Sequence, residues 1–145
     1  GMYDAIRKGP RTLVHADYRP DNMLFATPAG GRAVAIVDWQ SFGYGPGAAD
    51  IGYCIAGALP VELRRAHEAE LLATYSEELT RQGAGPYPRD DLMRHYVGGA
   101  FQHFLTAFFA AMLVKETPRG NDMFFKMLDG AVELITDHGA EDWFK

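Results

Sequence analysis

Asp17, Asn22 and Asp38 are the residues of this chain whose types and spacing most directly support chemistry. Two carboxylates and an amide oxygen form a hard-oxygen set of the kind Mg²⁺ prefers, which substrate phosphates and water ordinarily complete. A carboxylate beside such a site can also take the proton from a hydroxyl as it attacks a phosphoryl group. Asp17 lies in "LVHADYRPDN", Leu13 to Asn22, where an apolar run gives way at once to a histidine, two aspartates, an arginine, a proline and an asparagine. A turn needs one or two such residues. Taken singly, each has a plain structural reading: Asp17 and Asp21 as turn formers beside Pro20, Asn22 as the cap of a bend, Asp38 as the end of a strand.

What joins them is the pattern of elements around them. "TLV" (Thr12 to Val14) reads as a short strand running into the polar loop. "NMLFA" and "AVAIV" read as two strands flanking "TPAGGR", whose paired glycines are a hairpin signal. Asn22 opens the first of these strands and Asp38 follows the second. Antiparallel pairing therefore returns Asp38 to the end of the hairpin where Asn22 and Asp17 lie. Beyond it, the glycine-rich "GYGPGAAD" predicts an irregular segment with unusual backbone angles. From Pro60 onward the chain reads as three helices. The first spans Pro60 to Gly83, with Leu63, Ala66, Leu71, Tyr75 and Leu79 on its inner face. The second runs from about Leu92 to Val114 and is capped by Asp90 or Asp91. After a break at "TPRGND" the third runs from about Asp122 to His138, is stopped by Gly139, and turns Met123, Met127, Val132 and Ile135 inward.

An aspartate in a loop, an asparagine five residues later and an aspartate at a strand end form the kinase arrangement of base and two metal ligands. At these residues the chain resembles the aminoglycoside phosphotransferase/choline kinase superfamily, through "HADYRPDNMLF" and "AIVDWQSFGYGPGAADIGY". The usual loop there reads His-Gly-Asp, four residues, Asn; here Ala16 replaces the glycine. The "YRPDN" form is similar to the phosphotransferase-like kinase domains found alone in bacteria or fused to acyl-CoA dehydrogenases. The resemblance covers about Leu13 to Leu59. It implies the C-terminal lobe of a protein-kinase-like fold: α+β, mostly α, a hairpin carrying the catalytic and metal loops followed by three or so helices. It further implies Asp17 as the catalytic base, Asn22 and Asp38 as Mg²⁺ ligands beside ATP, His15 as a brace of the loop and Asp50 as a supporting structural aspartate. Arg19 reads either as a contact to a substrate anion or as a loop-to-loop ion pair.

The rest of the composition narrows the partners. The 145 residues are one domain's worth, with 48% hydrophobic and 23% charged residues, a soluble globular balance. Residues 12–59 read as the catalytic and metal-binding segments and 60–145 as a helical subdomain. A net charge of −5 argues against a nucleic-acid partner. Cys54, the single cysteine, fits a reducing, cytoplasmic setting and reads as a small buried hydrophobe. "VGGAFQHFLTAFFAAMLV" approaches spanning length, but Gln102, His103 and Thr106 interrupt it, so a buried helix is expected and not a membrane span. Trp39 and Phe42 read as packing residues under the metal loop, and His67, His95, His103 and His138 as surface or satisfied core histidines. Gly1 before Met2 looks like a tag scar. The residues before His15 hold no glycine-rich loop or strand lysine, and no GxxxxGK[ST] motif occurs, so the nucleotide-gripping N-terminal lobe is expected to be absent. Two functional classes stay open: a small-molecule O-phosphotransferase acting on a hydroxyl substrate, inactive as this isolated chain, and a non-catalytic kinase-like module. Helical surface left bare without that lobe is expected to be covered by self-association or by a second chain.

Overall fold

The computed structural model describes residues 8–113 and 118–144. Gly1 and the helix end expected at Val114 lie outside the described residues. Among the described residues four short strands precede four helices. Strand β1 (Thr12–Val14) pairs antiparallel with β4 (Gly43–Gly45), and β2 (Met23–Thr27) pairs antiparallel with β3 (Gly30–Ile36). Helix α1 spans Gly47–Ala58, α2 Val61–Arg81, α3 Arg89–Leu113 and α4 Pro118–Asp137, with short 3₁₀ turns at Pro20–Asn22, Trp39–Ser41 and Ala140–Phe144. The architecture is α+β, mostly helical, with small antiparallel pairs leading into helices, as expected of a kinase-like C-terminal lobe.

The hairpin forms where expected. Thr27 pairs with Gly30 across Pro28–Ala29, and Gly30 and Gly31 take φ of +107° and +124°, open to glycine and strained for other residues. "GYGPGAAD", by contrast, is regular: its first three residues are β4 and its remainder opens α1. None of its glycines has a positive φ. Gly47 is there for space, since a Cβ on it would lie 2.7 Å from the Tyr75 hydroxyl. α1 is thus a fourth helix, ended at Leu59, which the following Pro60 holds in an extended conformation.

α1 is the centre of the packing and lies against both α3 and α4. Ile55, Ala56, Tyr96, Val97, Ala100, Ala131 and Leu134 fill the core between them. α3 is long and apolar enough to cross a membrane by length and composition, yet nine of its residues between Leu92 and Ala107 are buried. Its outer face exposes Leu105, Phe108, Phe109 and Met112.

The inner face of α2 differs from the expected one by one residue. Leu63 and Leu71 face solvent, while Arg64 and Leu72 are buried. A charged side chain holds that place because acidic partners meet it: Arg64 bonds Glu68 at 2.7 Å and also reaches Asp137. Arg65 bonds Asp137 and Glu133, so α2 is tied to α4 largely by ion pairs. On α4, Met127 and Ile135 are buried as expected, but Ala131 and Leu134 complete the face, and Met123 and Val132 are exposed.

Glu68 is the acid-sensitive point of this network. Burial pushes its pKa up, but bonds from His138 (2.7 Å), Arg64 and Tyr96 (2.9 Å) outweigh that and hold it down at about 2, against an ordinary 4.5. A carboxylate depressed in the folded state stabilises the fold above its unfolded pKa and loses that contribution as pH falls through the folded value. We expect a loss on the order of 2 kcal/mol, allowing for solvent screening of a half-buried group, as pH drops from about 4.5 towards 2. Urea titrations across that window should show it, and Glu68→Gln should flatten the slope.

Candidate active site

The loop 15–22 is held from three sides. From α1, the Asp50 carboxylate accepts the backbone N–H of His15 at 2.6 Å and of Ala16 at 3.0 Å. From α3, Gln102 donates its side-chain amide to the Ala16 carbonyl at 2.9 Å. From the hairpin side, the buried His15 contacts the Val37 carbonyl through Nε2 at 2.8 Å. The Asp17 N–H donates to His15 Nδ1 at 3.3 Å. This N–H can only donate, so Nδ1 is the acceptor and Nε2–H the donor to Val37. His15 therefore bridges the loop carrying Asp17 to the strand end carrying Asp38.

Ala16 stands where the family loop has glycine, and its φ is +64°, in the left-handed region. That conformation costs a non-glycine residue about 1–2 kcal/mol. The Asp50 and Gln102 bonds fix it regardless. Ala16→Gly should therefore raise stability by about 0.5–1 kcal/mol, after the extra unfolded-chain entropy of glycine is set against the relieved strain. A thermal melt of the variant measures it.

Asp17 is the most bonded carboxylate of the loop. One oxygen accepts from the buried Tyr53 hydroxyl at 2.9 Å and the other from Asn22 Nδ2 at 3.1 Å. Asn22, also buried, donates the same nitrogen to the Asp17 carbonyl at 2.9 Å. With its nitrogen turned to Asp17, the Asn22 amide presents its oxygen elsewhere. The Val37 N–H donates to the Asn22 carbonyl at 3.0 Å, extending the hairpin ladder to the residue before Asp38. Asp38 takes a left-handed φ of +62° and is exposed. Non-glycine residues in that conformation concentrate at functional sites, and Asp tolerates it better than most. The fold thus brings Asp17, Asn22 and Asp38 to one end of the hairpin, as their spacing predicts.

Arg19 lies 3.5 Å from the Asp17 carboxylate, a pair within one loop and not between loops. Trp39 packs against His15, ring centres 4.8 Å apart, while Phe42 is exposed and not the packing residue expected. Among the histidines His67 is at the surface, His95 bonds Tyr87 and His138 bonds Glu68. His103 departs from expectation. It is buried, edge-on to Tyr53 at 4.6 Å, and neither ring nitrogen has a hydrogen-bond partner among the described residues. Burial lowers its pKa to about 4, so the ring is uncharged at neutral pH. Cys54 is half-buried, not buried as expected, and burial and Asp50 push its thiol up to about 11.

No three His, Cys, Asp or Glu side chains converge on a metal position among the described residues. A pair such as Asn22 and Asp38 fits a cation whose remaining ligands come from phosphate and water. A hairpin end that delivers an Asp–Asn loop and a strand-end Asp, backed by an aspartate on the next helix, belongs to the protein-kinase-like C-terminal lobe. The model of the phosphotransferase enzyme family matches residues 2–87, more than half of the chain, and the chain belongs to that family. No curated protein matches it.

Proposed function

We propose that the chain carries the catalytic residues of a small-molecule O-phosphotransferase that uses Mg²⁺ and ATP. The observation that carries this reading is the bonded unit of Asp17, Asn22 and His15, together with the Val37–Asn22 link that sets Asp38 beside it. In this reading Asp17 takes the proton from the acceptor hydroxyl as that oxygen attacks the terminal phosphorus of ATP, the bond from that phosphorus to the bridging oxygen breaks, and ADP leaves. Tyr53 and Asn22 each donate to one of its oxygens and fix the direction of the carboxylate. Arg19 shares its charge from the open side. The Asn22 amide oxygen and the Asp38 carboxylate would hold the cation, which when bound neutralises charge on the transferring phosphates. His15 acts as a positioning residue that keeps base and metal ligands in register.

Isothermal titration of the protein with Mg²⁺-ADP and Mg²⁺-ATP tests the reading. We expect binding that requires the cation and is lost in Asp38→Ala. Asp17→Asn should leave nucleotide binding in place and, where transfer is measurable, lower its rate by about 10²–10⁴-fold, the usual contribution of a positioned base. Absence of binding at millimolar nucleotide would favour the non-catalytic module instead.

A further inference from the structure

A cavity of about 650 Å³ opens beside the Asp17 loop, between residues 19–21 and the early turns of α4. Its volume is in the range of small-molecule sites. At its floor lies His103, buried, with neither ring nitrogen bonded among the described residues. Room for the ring is made by Gly57, where a Cβ would stand 2.4 Å from the imidazole Cε1. Natural proteins seldom leave a buried imidazole without partners, and such a group points to a ligand that supplies them. His103 also touches Tyr53, which bonds Asp17, so the cavity floor is two contacts from the proposed base. At the rim stand Asp21 and Asp122 on one side of the charge balance and Arg19 and Lys126 on the other; Arg19 lies 3.5 Å from Asp17, while the other three form no ion pair among the described residues.

We propose that this cavity is the acceptor pocket, that His103 hydrogen-bonds the acceptor at its floor, and that the acceptor is a compact hydroxyl compound carrying both an ammonium and a carboxylate. An unpaired lysine can meet the carboxylate, and the unpaired aspartates the ammonium. A compound with one charge alone leaves half of the rim unmet. The uncharged imidazole offers one donor and one acceptor to the polar groups between. The inference rests on the phosphotransferase reading for the meaning of the word acceptor, but not for the existence of the pocket.

The test is a long-range ¹H–¹⁵N correlation of the imidazoles in ¹⁵N-labelled protein, with the His103 signals assigned by their loss in His103→Gln. L-serine, L-threonine and longer ω-hydroxy-α-amino acids are added to millimolar concentration, with ethanolamine and glycerate as single-charge comparators. The expected result is movement of the His103 nitrogens with at least one hydroxy-amino acid, weaker by tenfold or more in affinity for the comparators. Lys126→Gln, at an exposed position that does not threaten folding, should weaken the hydroxy-amino acid tenfold and leave ethanolamine unchanged. No movement with any hydroxy-amino acid, or equal movement with the single-charge compounds, overturns the proposal. Nucleotide binding without a response at His103 would overturn the pocket alone, whereas a response at His103 without nucleotide binding would overturn the phosphotransferase reading alone.

Discussion

Gly52→Ala should abolish cooperative folding of this chain. A Cβ at position 52 would stand 1.8 Å from the Tyr96 carbonyl oxygen and 2.7 Å from its carbon. Both atoms are backbone of α3 and have no rotamer to escape into. The same contact recurs from the other side, where a Cβ on Gly99 would meet the Ala49 carbonyl at 2.0 Å, and again at Gly130 against Ala56 at 2.0 Å. α1 is therefore packed backbone-to-backbone against α3 and α4, and one methyl group must push two helices apart and open the core around Tyr96, Val97 and Ala100. Overpacking in a rigid core costs about 1–3 kcal/mol where side chains can yield. With backbone as the obstacle the cost should exceed about 4 kcal/mol, a large part of a domain's 5–15 kcal/mol. Gly85→Ala is the control: φ there is +77° with nothing near, so only backbone strain of about 1 kcal/mol applies. Circular-dichroism melts of the two variants decide. A Gly52→Ala protein melting within a few degrees of the parent would show that the α1–α3 contact is not the organising one.

Much of the site was legible because it is local. The spacing of Asp17 and Asn22 and the hairpin between Asn22 and Asp38 set their convergence by strand geometry alone, and the ladder contact between Val37 and Asn22 follows from it. What a one-dimensional pattern could not weigh was tertiary partnership. Gly47 falls in a segment expected to need unusual backbone angles, but a Cβ there would meet the Tyr75 hydroxyl, and one on Gly52 would meet the α3 backbone, contacts that show only when the folded partner is present. Arg64 is missing from the expected inner face of α2 because a charge is not buried unless paired, and its partner Asp137 lies 73 positions away. In the sequence Gln102, His103 and Thr106 interrupt an apolar run. They share one helical face, with spacings of three and four, and that face meets the loop: Gln102 bonds Ala16 and His103 packs on Tyr53. Polar residues on one stripe of a core helix were the available signal for the supporting side of the site.

The second large effect is expected at Asp50. Its two oxygens receive the N–H groups of consecutive residues, His15 and Ala16, and no neutral side chain reproduces that. Asp50→Asn keeps one acceptor oxygen but turns an NH₂ group towards the other N–H, so it should be nearly as damaging as Asp50→Ala. Hydrogen bonds to a charged group contribute about 1.5–3 kcal/mol each, and two that share one carboxylate are not additive, so a loss of about 3 kcal/mol is expected. The functional loss should be larger than the stability loss implies. Ala16 holds a left-handed φ only because Asp50 and Gln102 fix it, and once released it relaxes towards ordinary backbone angles. That rotation swings the His15 ring, whose nitrogens link the Asp17 amide to the Val37 carbonyl, and the register between Asp17 and Asp38 goes with it. Two measurements separate this from general destabilisation. The amide protons of His15 and Ala16 should move upfield in Asp50→Asn, at a temperature well below its melt. Mg²⁺-nucleotide binding should fall at least tenfold in protein that is still folded. An Asn variant with parental melting temperature and unmoved His15 and Ala16 amides would mean that Gln102 and His15 hold the loop without Asp50.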